Sequence, residues 1–408
     1  MSSITTEVAQ TPSLKTAAAD YWARVKSGDI GSLPAILGLI VLCAVFTVMA
    51  PDFLTPINFA NLLTQAAAVV VIAMGLIFVL LLGDIDLSAG YAAGVCGAVM
   101  VIMVTNHHVA WYLAFGVSVL VGFALGGSIG WLVSYLGIPS FVVTLAAFLG
   151  FQGFLLLIAG EGGTIPITQP TVLKIENSNI SVTNSWIFFI VAAVLYVLSG
   201  LRKIQLRRKQ GLKSELLQLW VLKTVGLLGI CAYAVYALNL ERSNNPKLIS
   251  LKGTPYIVPV ILGLLVVGTF VLQRTAFGRH LYAVGGNAEA ARRAGINVKR
   301  VRTLAFVICS GMAAVAGLIF ASRQNSISPT TGGSSTLLYA VGAAVIGGTS
   351  LFGGKGKLRD AILGGLVVSV IDNGMGLLGY AAGIKFIVTG FVLLISAGVD
   401  AISRKGSV

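Results

Sequence analysis

The stretch FANLLTQAAAVVVIAMGLIFVLLL, residues 59–82, runs for 24 residues without one Asp, Glu, Lys or Arg. As an α-helix rising about 1.5 Å per residue it is about 36 Å long, enough to cross a hydrocarbon core of roughly 30 Å. Only a helix or a closed barrel satisfies its own backbone groups in lipid, and this length fits a helix. Eleven further apolar runs are candidate spans, at 33–50, 88–105, 110–136, 139–159, 184–200, 216–239, 256–272, 303–321, 336–349, 361–379 and 384–402. The tenth run in chain order, 336–349, is short and interrupted by Gly342, Gly347 and Gly348, so it reads as broken or re-entrant. The expected fold class is an all-α polytopic membrane protein of about twelve transmembrane segments.

Composition agrees. Of 408 residues, 56% are hydrophobic and 10% charged, against roughly 25% charged in soluble domains. Too few charges remain to coat a soluble surface. The 28 Lys and Arg exceed the 14 Asp and Glu and give a net charge of +14. A nucleic-acid role is excluded, because the cations lie in short loops and no soluble domain presents a basic groove. With the N-terminus inside, 21 cations fall on the cytoplasmic side and six outside, and Lys223 falls within a span. That asymmetry predicts both termini in the cytoplasm. The domain reading is a cytoplasmic tail at 1–32, with an amphipathic turn near Tyr21–Val25 and no signal-peptide pattern. A transmembrane domain follows at 33–402, then a tail at 403–408. Two long inner loops are expected, a basic one at 201–215 and a second at 273–302.

Enzyme signatures are missing. The chain has no GxxxxGK[ST] or HExxH motif. His107, His108 and His280 lack partners at metal-ligand spacing, and Cys43, Cys96, Cys231 and Cys309 lie singly in apolar runs. No catalytic centre, metal site or bound cofactor is expected on this chain.

Small residues recur at close-packing spacing. Gly90 and Gly94 form one GxxxG pair, and Gly122, Gly126 and Gly130 form two in succession, a pattern that lets membrane helices approach closely. In the inner loop, Asn287 is placed to cap a short helix, Glu289 suits the positive end of its dipole, and Gly295 suits its stop. A capped, cation-flanked helix between two spans is either an anchor against anionic lipid or a docking element for a cytoplasmic partner.

FGRHLYAVGGNAEAARRAGINVKRVR, residues 277–302, is similar to the cytoplasmic coupling loop of ABC sugar-importer permeases of the ribose, galactose and xylose group. GDIDLSAGYAAG at 83–94, AAVIGGTSLFGGKG at 343–356 and DNGMGLLG at 372–379 resemble other hallmarks of that group. The resemblance runs from about residue 33 to 402. It implies a permease of the bacterial cytoplasmic membrane, working as two copies with two cytoplasmic ATP-binding subunits and an extracytoplasmic sugar-binding protein. ATP and Mg would then sit on the ATP-binding partner. By the same resemblance the coupling residues are Gly278, Arg279, Gly285, Gly286, Asn287, Glu289, Ala291, Arg292 and Gly295. The basic segment at 201–213 and the extra span after it resemble an insertion of the xylose-type permeases, which implies xylose as the monosaccharide.

Polar groups near the spans leave several readings open. Asp86 or Ser88 is placed to cap the helix that follows, and Asp84 and Asp86 are also candidates for sugar hydroxyls or an ion site. Asp372 and Asn373, in mid-span, suit either structural pairing or a sugar. Thr349 and Ser350 follow two glycines, where irregular backbone lining a cavity is tolerated. The other functional readings are a ribose, galactose or other small-solute permease, and a secondary symporter using Asp84, Asp86 or Asp372.

Overall fold

The computed structural model describes residues 32–210, 217–243 and 245–405. The expected tail before Ser32, its turn near Tyr21–Val25, residues 211–215 of the basic loop and the last three residues lie outside the described residues.

In chain order the elements are α1 (Leu33–Met49), α2 (Pro56–Leu80), α3 (Ala89–Thr105), α4 (Trp111–Tyr135), α5 (Ser140–Ala159), β1 (Ile165–Pro166), α6 (Pro170–Asn177), α7 (Val182–Lys209) and α8 (Leu217–Asn239). There follow α9 (Ile257–Arg274), α10 (Ala276–Gly286), α11 (Ala288–Arg293), α12 (Val298–Gln324), β2 (Ser326–Ile327), α13 (Ser334–Ile346), α14 (Leu358–Leu377) and α15 (Ala382–Lys405). Each of the twelve apolar runs coincides with a helix. Eight helices of the described residues are long and apolar enough to cross a membrane: α2, α4, α5, α7, α8, α9, α12 and α14. With 13 residues, α13 is about 20 Å long, short of the roughly 30 Å core.

Three boundaries differ from expectation. The basic loop begins late, because Arg202, Lys203, Arg207, Arg208 and Lys209 extend α7. Lys and Arg are good helix formers and suit a helix C-terminus, so polarity does not end the helix. Val298–Arg302, expected as loop, is the first turn of α12, capped where Asn297 Oδ1 accepts from Arg300 N–H at 3.0 Å. Residues 403–405, expected as tail, complete α15.

The core forms around α2 and α12. Every residue from Ala66 to Leu81 is buried. α12 packs against α2, α3 and α4. The glycine stripe of α4 makes that approach: a Cβ on Gly126 would lie 2.3 Å from the carbonyl oxygen of Phe306, and one on Gly122 2.6 Å from that of Ser310. Gly90 and Gly94 receive something other than a helix, namely the backbone of Gly332 and Thr331 in the loop before α13. At the periphery, α7, α8 and α9 expose Ile187, Ile190, Leu222, Ile230, Val266 and Val267, an apolar surface suited to lipid rather than water.

Loops gather at two ends. The far end is tied by antiparallel β1–β2, with Ile165 opposite Ile327, and by Ile180 N–H donating to Thr254 C=O at 2.8 Å. The basic end holds the turn after α2, helices α10 and α11, and the loop between α13 and α14.

Candidate functional site

Three segments far apart in sequence meet at the basic end. Leu81 C=O, at the exit of α2, accepts from Gly354 N–H at 2.9 Å. Gly285 of α10 lies against both: a Cβ there would stand 1.8 Å from the Leu81 oxygen and 3.0 Å from Gly354 N. Tyr282, one turn earlier on α10, donates its hydroxyl to Gly356 C=O at 2.7 Å. Burial, and then the charge of Asp360, push the Tyr282 phenol up. Phe277 stacks near Phe78 of α2, with ring centroids 6.5 Å apart. Thus α10 is wedged into the core on Phe277, Leu281 and Val284, while Arg279 faces outward. Gly278 allows the tight turn from α9, since a Cβ would lie 2.1 Å from Leu272 C=O.

From this wedge α11 projects. Asn287 Oδ1 accepts from Ala290 N–H at 2.9 Å, as its capping role requires. The break between α10 and α11 is Asn287 alone, because Gly285 and Gly286 are helical. Glu289 pairs with Arg292 at 2.6 Å and Arg293 at 3.1 Å, and these hydrogen bonds hold its carboxyl below the usual range. Ala291 is buried beneath them. Gly295 has φ +84°, the left-handed geometry that ends a helix with least strain in glycine. The result is a six-residue helix with charged groups outward, fixed at both ends.

Asp84 forms a bidentate pair with Arg302. Asp86 and Ser88 are fully buried, and Asp86 Oδ1 accepts from Ser88 N–H at 2.9 Å and Ser88 Oγ–H at 2.6 Å. Ser88 occupies the N-cap position of α3 but makes no cap bond, since its hydroxyl is given to Asp86. Thr349 donates to Asp360 Oδ2 at 3.3 Å, and Asp360 also accepts from Lys357 N–H at 2.7 Å. Each bond closes the turn that returns the chain from α13 to α14.

Asp372 and Asn373 stand elsewhere, about 18 Å along α14 from Asp360. Asn373 exchanges two amide hydrogen bonds with Asn58 of α2, both 2.9 Å, and also donates to Gln65 at 3.3 Å. Asp372 pairs with Lys385 of α15 at 3.4 Å. The proposed sugar-path residues therefore divide between two places and form no single constellation. Arg302, Tyr282, Asp360, Asn58 and Gln65 were not singled out by sequence. Asn58 and Gln65 carried a signal, being polar and seven residues apart on one face of an apolar helix. Among the described residues no cluster of three His, Cys, Asp or Glu is placed to hold a metal.

The chain is similar to known proteins along most of its length. Over 386 residues, 94% of this chain and 95% of the relative, it is 34% identical to the xylose transport system permease protein XylH of Escherichia coli K12. The protein of that name from Haemophilus influenzae is 33% identical, with 94% and 99% covered. The ribose import permease protein RbsC of Escherichia coli K12 is 27% identical, with 90% and 92% covered. No solved structure matches the chain. The model of the family described as branched-chain amino acid transport system / permease component matches residues 58–397. Matched across most of its length, the chain belongs to that transport-permease family.

Proposed function

We propose that this chain is the membrane-spanning permease of an ATP-driven importer of a monosaccharide, with xylose as the substrate. The observation that carries the reading is the wedge of α10 between Leu81 and Gly354, with α11 held outside it. An element seated in the core and exposed at its tip transmits a push from a cytoplasmic partner into α2 and α14. The greater identity to the xylose proteins than to the ribose protein, 34% against 27%, supports the pentose.

In this reading the chain makes twelve crossings or partial crossings with both termini inside, so that the basic end faces the cytoplasm. It lies in a bacterial inner membrane. A second copy pairs with it, and two ATP-binding subunits grip α10 and α11. Those subunits hold ATP and Mg and do the hydrolysis. A sugar-binding protein delivers substrate to the far end. ATP binding moves the coupling helices and alternates which end is open, so sugar contacts in the path stay weak enough for release.

Co-purification with a cytoplasmic ATP-binding subunit, followed by sugar-stimulated ATP hydrolysis in liposomes, tests this. Stable assembly and stimulation by xylose above ribose are expected. Sugar accumulation by the isolated chain under an ion gradient would overturn the reading in favour of a symporter.

A further inference from the structure

At the far end, the start of α2, the stretch from α6 to α7 and the end of α12 enclose a cavity of about 330 Å³. That volume sits at the lower end of small-ligand pockets. Asn61 and Thr64 of α2, Glu176, Asn177, Asn179 and Arg323 line it. Glu176 is only 7% exposed, and neither of its carboxyl oxygens has a hydrogen-bond partner. Its backbone N–H is already satisfied by Ser322 Oγ at 3.0 Å, so the open valences belong to the side chain. Buried polar groups are ordinarily matched, and an unmatched one beside a cavity marks a place where a ligand completes the pairing.

The lining defines the ligand's chemistry. Burial pushes the Glu176 carboxyl up to about 8 against the opposing pull of Arg323, which makes it both donor and acceptor near neutral pH. The amides of Asn61 and Asn179 also offer both, Asn177 offers its amide oxygen alone because its Nδ2 is given to Ser322 C=O at 2.7 Å and Asn325 Oδ1 at 3.1 Å, and the Thr64 hydroxyl retains acceptor capacity. Arg242 reaches the same cavity, but it is spent on two carbonyls, Leu238 at 2.5 Å and Gly253 at 3.0 Å. Mixed donors and acceptors at short spacing match adjacent hydroxyls, each of which is also both.

We infer that this cavity is a binding site for a neutral polyhydroxylated solute of monosaccharide size, held by Glu176 and its flanking amides. The inference rests on the sugar-permease reading and deepens it, by giving the permease its own receiving site at the end opposite the coupling helices.

The test uses the complete importer in liposomes, with labelled xylose and ribose as probes. Asn179→Leu and Thr64→Leu each put an apolar side chain where hydroxyls would bind. Uptake is expected to fall at least tenfold in both, while Lys247→Ala, exposed and outside the cavity, keeps the wild-type rate. Should either leucine variant fail to assemble, Asn61→Ala at the exposed rim is expected to lose at least threefold. Saturation-transfer NMR of xylose on the purified full chain gives a reading without transport, with a signal in wild type that both leucine variants lose. Full-rate uptake by both variants, or an equal NMR signal in all three proteins, overturns the site. A wild-type importer that accumulates no monosaccharide overturns the transport reading instead, and the NMR signal tells the two failures apart.

Discussion

Arg302 closes on Asp84 across 218 residues of chain, with Nε on one carboxylate oxygen and Nη2 on the other. The carboxylate is 5% exposed and the guanidinium 36%. This pair fastens the first turn of α12 to the turn after α2, the two central helices of the core. Arg302→Met leaves a buried carboxylate without its partner. Breaking a fully buried pair costs about 3–5 kcal/mol; the half-exposed arginine is screened by solvent, so about 1–3 kcal/mol is expected here. Thermal unfolding in detergent measures it, and a double-mutant cycle with Asp84→Asn should show coupling.

Gly285 and Gly286 are adjacent in sequence and opposite in tolerance. A Cβ on Gly285 would collide with Leu81 C=O at 1.8 Å, whereas nothing lies within 4 Å of one on Gly286. Gly285→Ala is expected to cut the yield of monodisperse protein at least fivefold, and Gly286→Ala to leave it near wild type. Size-exclusion profiles of the two variants decide this, and equal profiles would remove the wedge as a structural constraint.

The left-handed φ of Gly295, +84°, is out of reach for proline, which is fixed near −65°. Gly295→Pro is expected to misplace the end of α11 while α10 stays seated. Sugar-stimulated ATP hydrolysis and uptake should both drop at least tenfold, with the chain still inserted in the membrane. Retained sugar-dependent hydrolysis would refute the assignment of α11 to coupling.

Asn58 and Asn373 satisfy one another through two 2.9 Å bonds. Asn373→Leu leaves the buried Asn58 Oδ1 unmatched, while Asn58 Nδ2 keeps its bond to Phe53 C=O, at an expected cost of about 1–3 kcal/mol. Replacing both by leucine should recover part of that loss, because the two amides leave together and only the acceptors Phe53 C=O and Gln65 Oε1 lose a donor. Melting temperatures of the two single variants and the double variant test the point.

Glu176 gives stability a pH dependence whose sign is fixed by its environment. Burial raises its carboxyl from the ordinary 4.5 to about 8, with Arg323 opposing. Arg242 lines the same cavity, and Lys174 lies on the same short helix. The folded protein then holds a proton that the unfolded chain has released between those two values. This contribution is full below about pH 4.5 and is lost as pH rises through about 8. Melting temperature should fall across that interval in wild type and fall less in Glu176→Gln.

How much of this was legible beforehand follows from the range of each interaction. The amphipathic pattern around Asn287, Glu289 and Gly295 spans nine residues, and such local geometry is readable because capping and helix stops are set by near neighbours. The basic stretch Arg202–Lys209, expected as loop, is helical, because charge marks where a helix leaves lipid and not where it ends.

Sequence alone determined the helical membrane class, since runs of about 20 apolar residues have no other stable state in a bilayer than hydrogen-bonded helices. It also determined the cap at Asn287 and the helix stop at Gly295. Only the tertiary structure decided that Leu81, Gly285 and Gly354 touch, that Asp84 answers Arg302, and that Glu176 faces a cavity. Those relationships depend on how helices with similar apolar surfaces pack side by side. That choice is made by close backbone approach and long-range polar pairing, which leave no periodic trace along the chain.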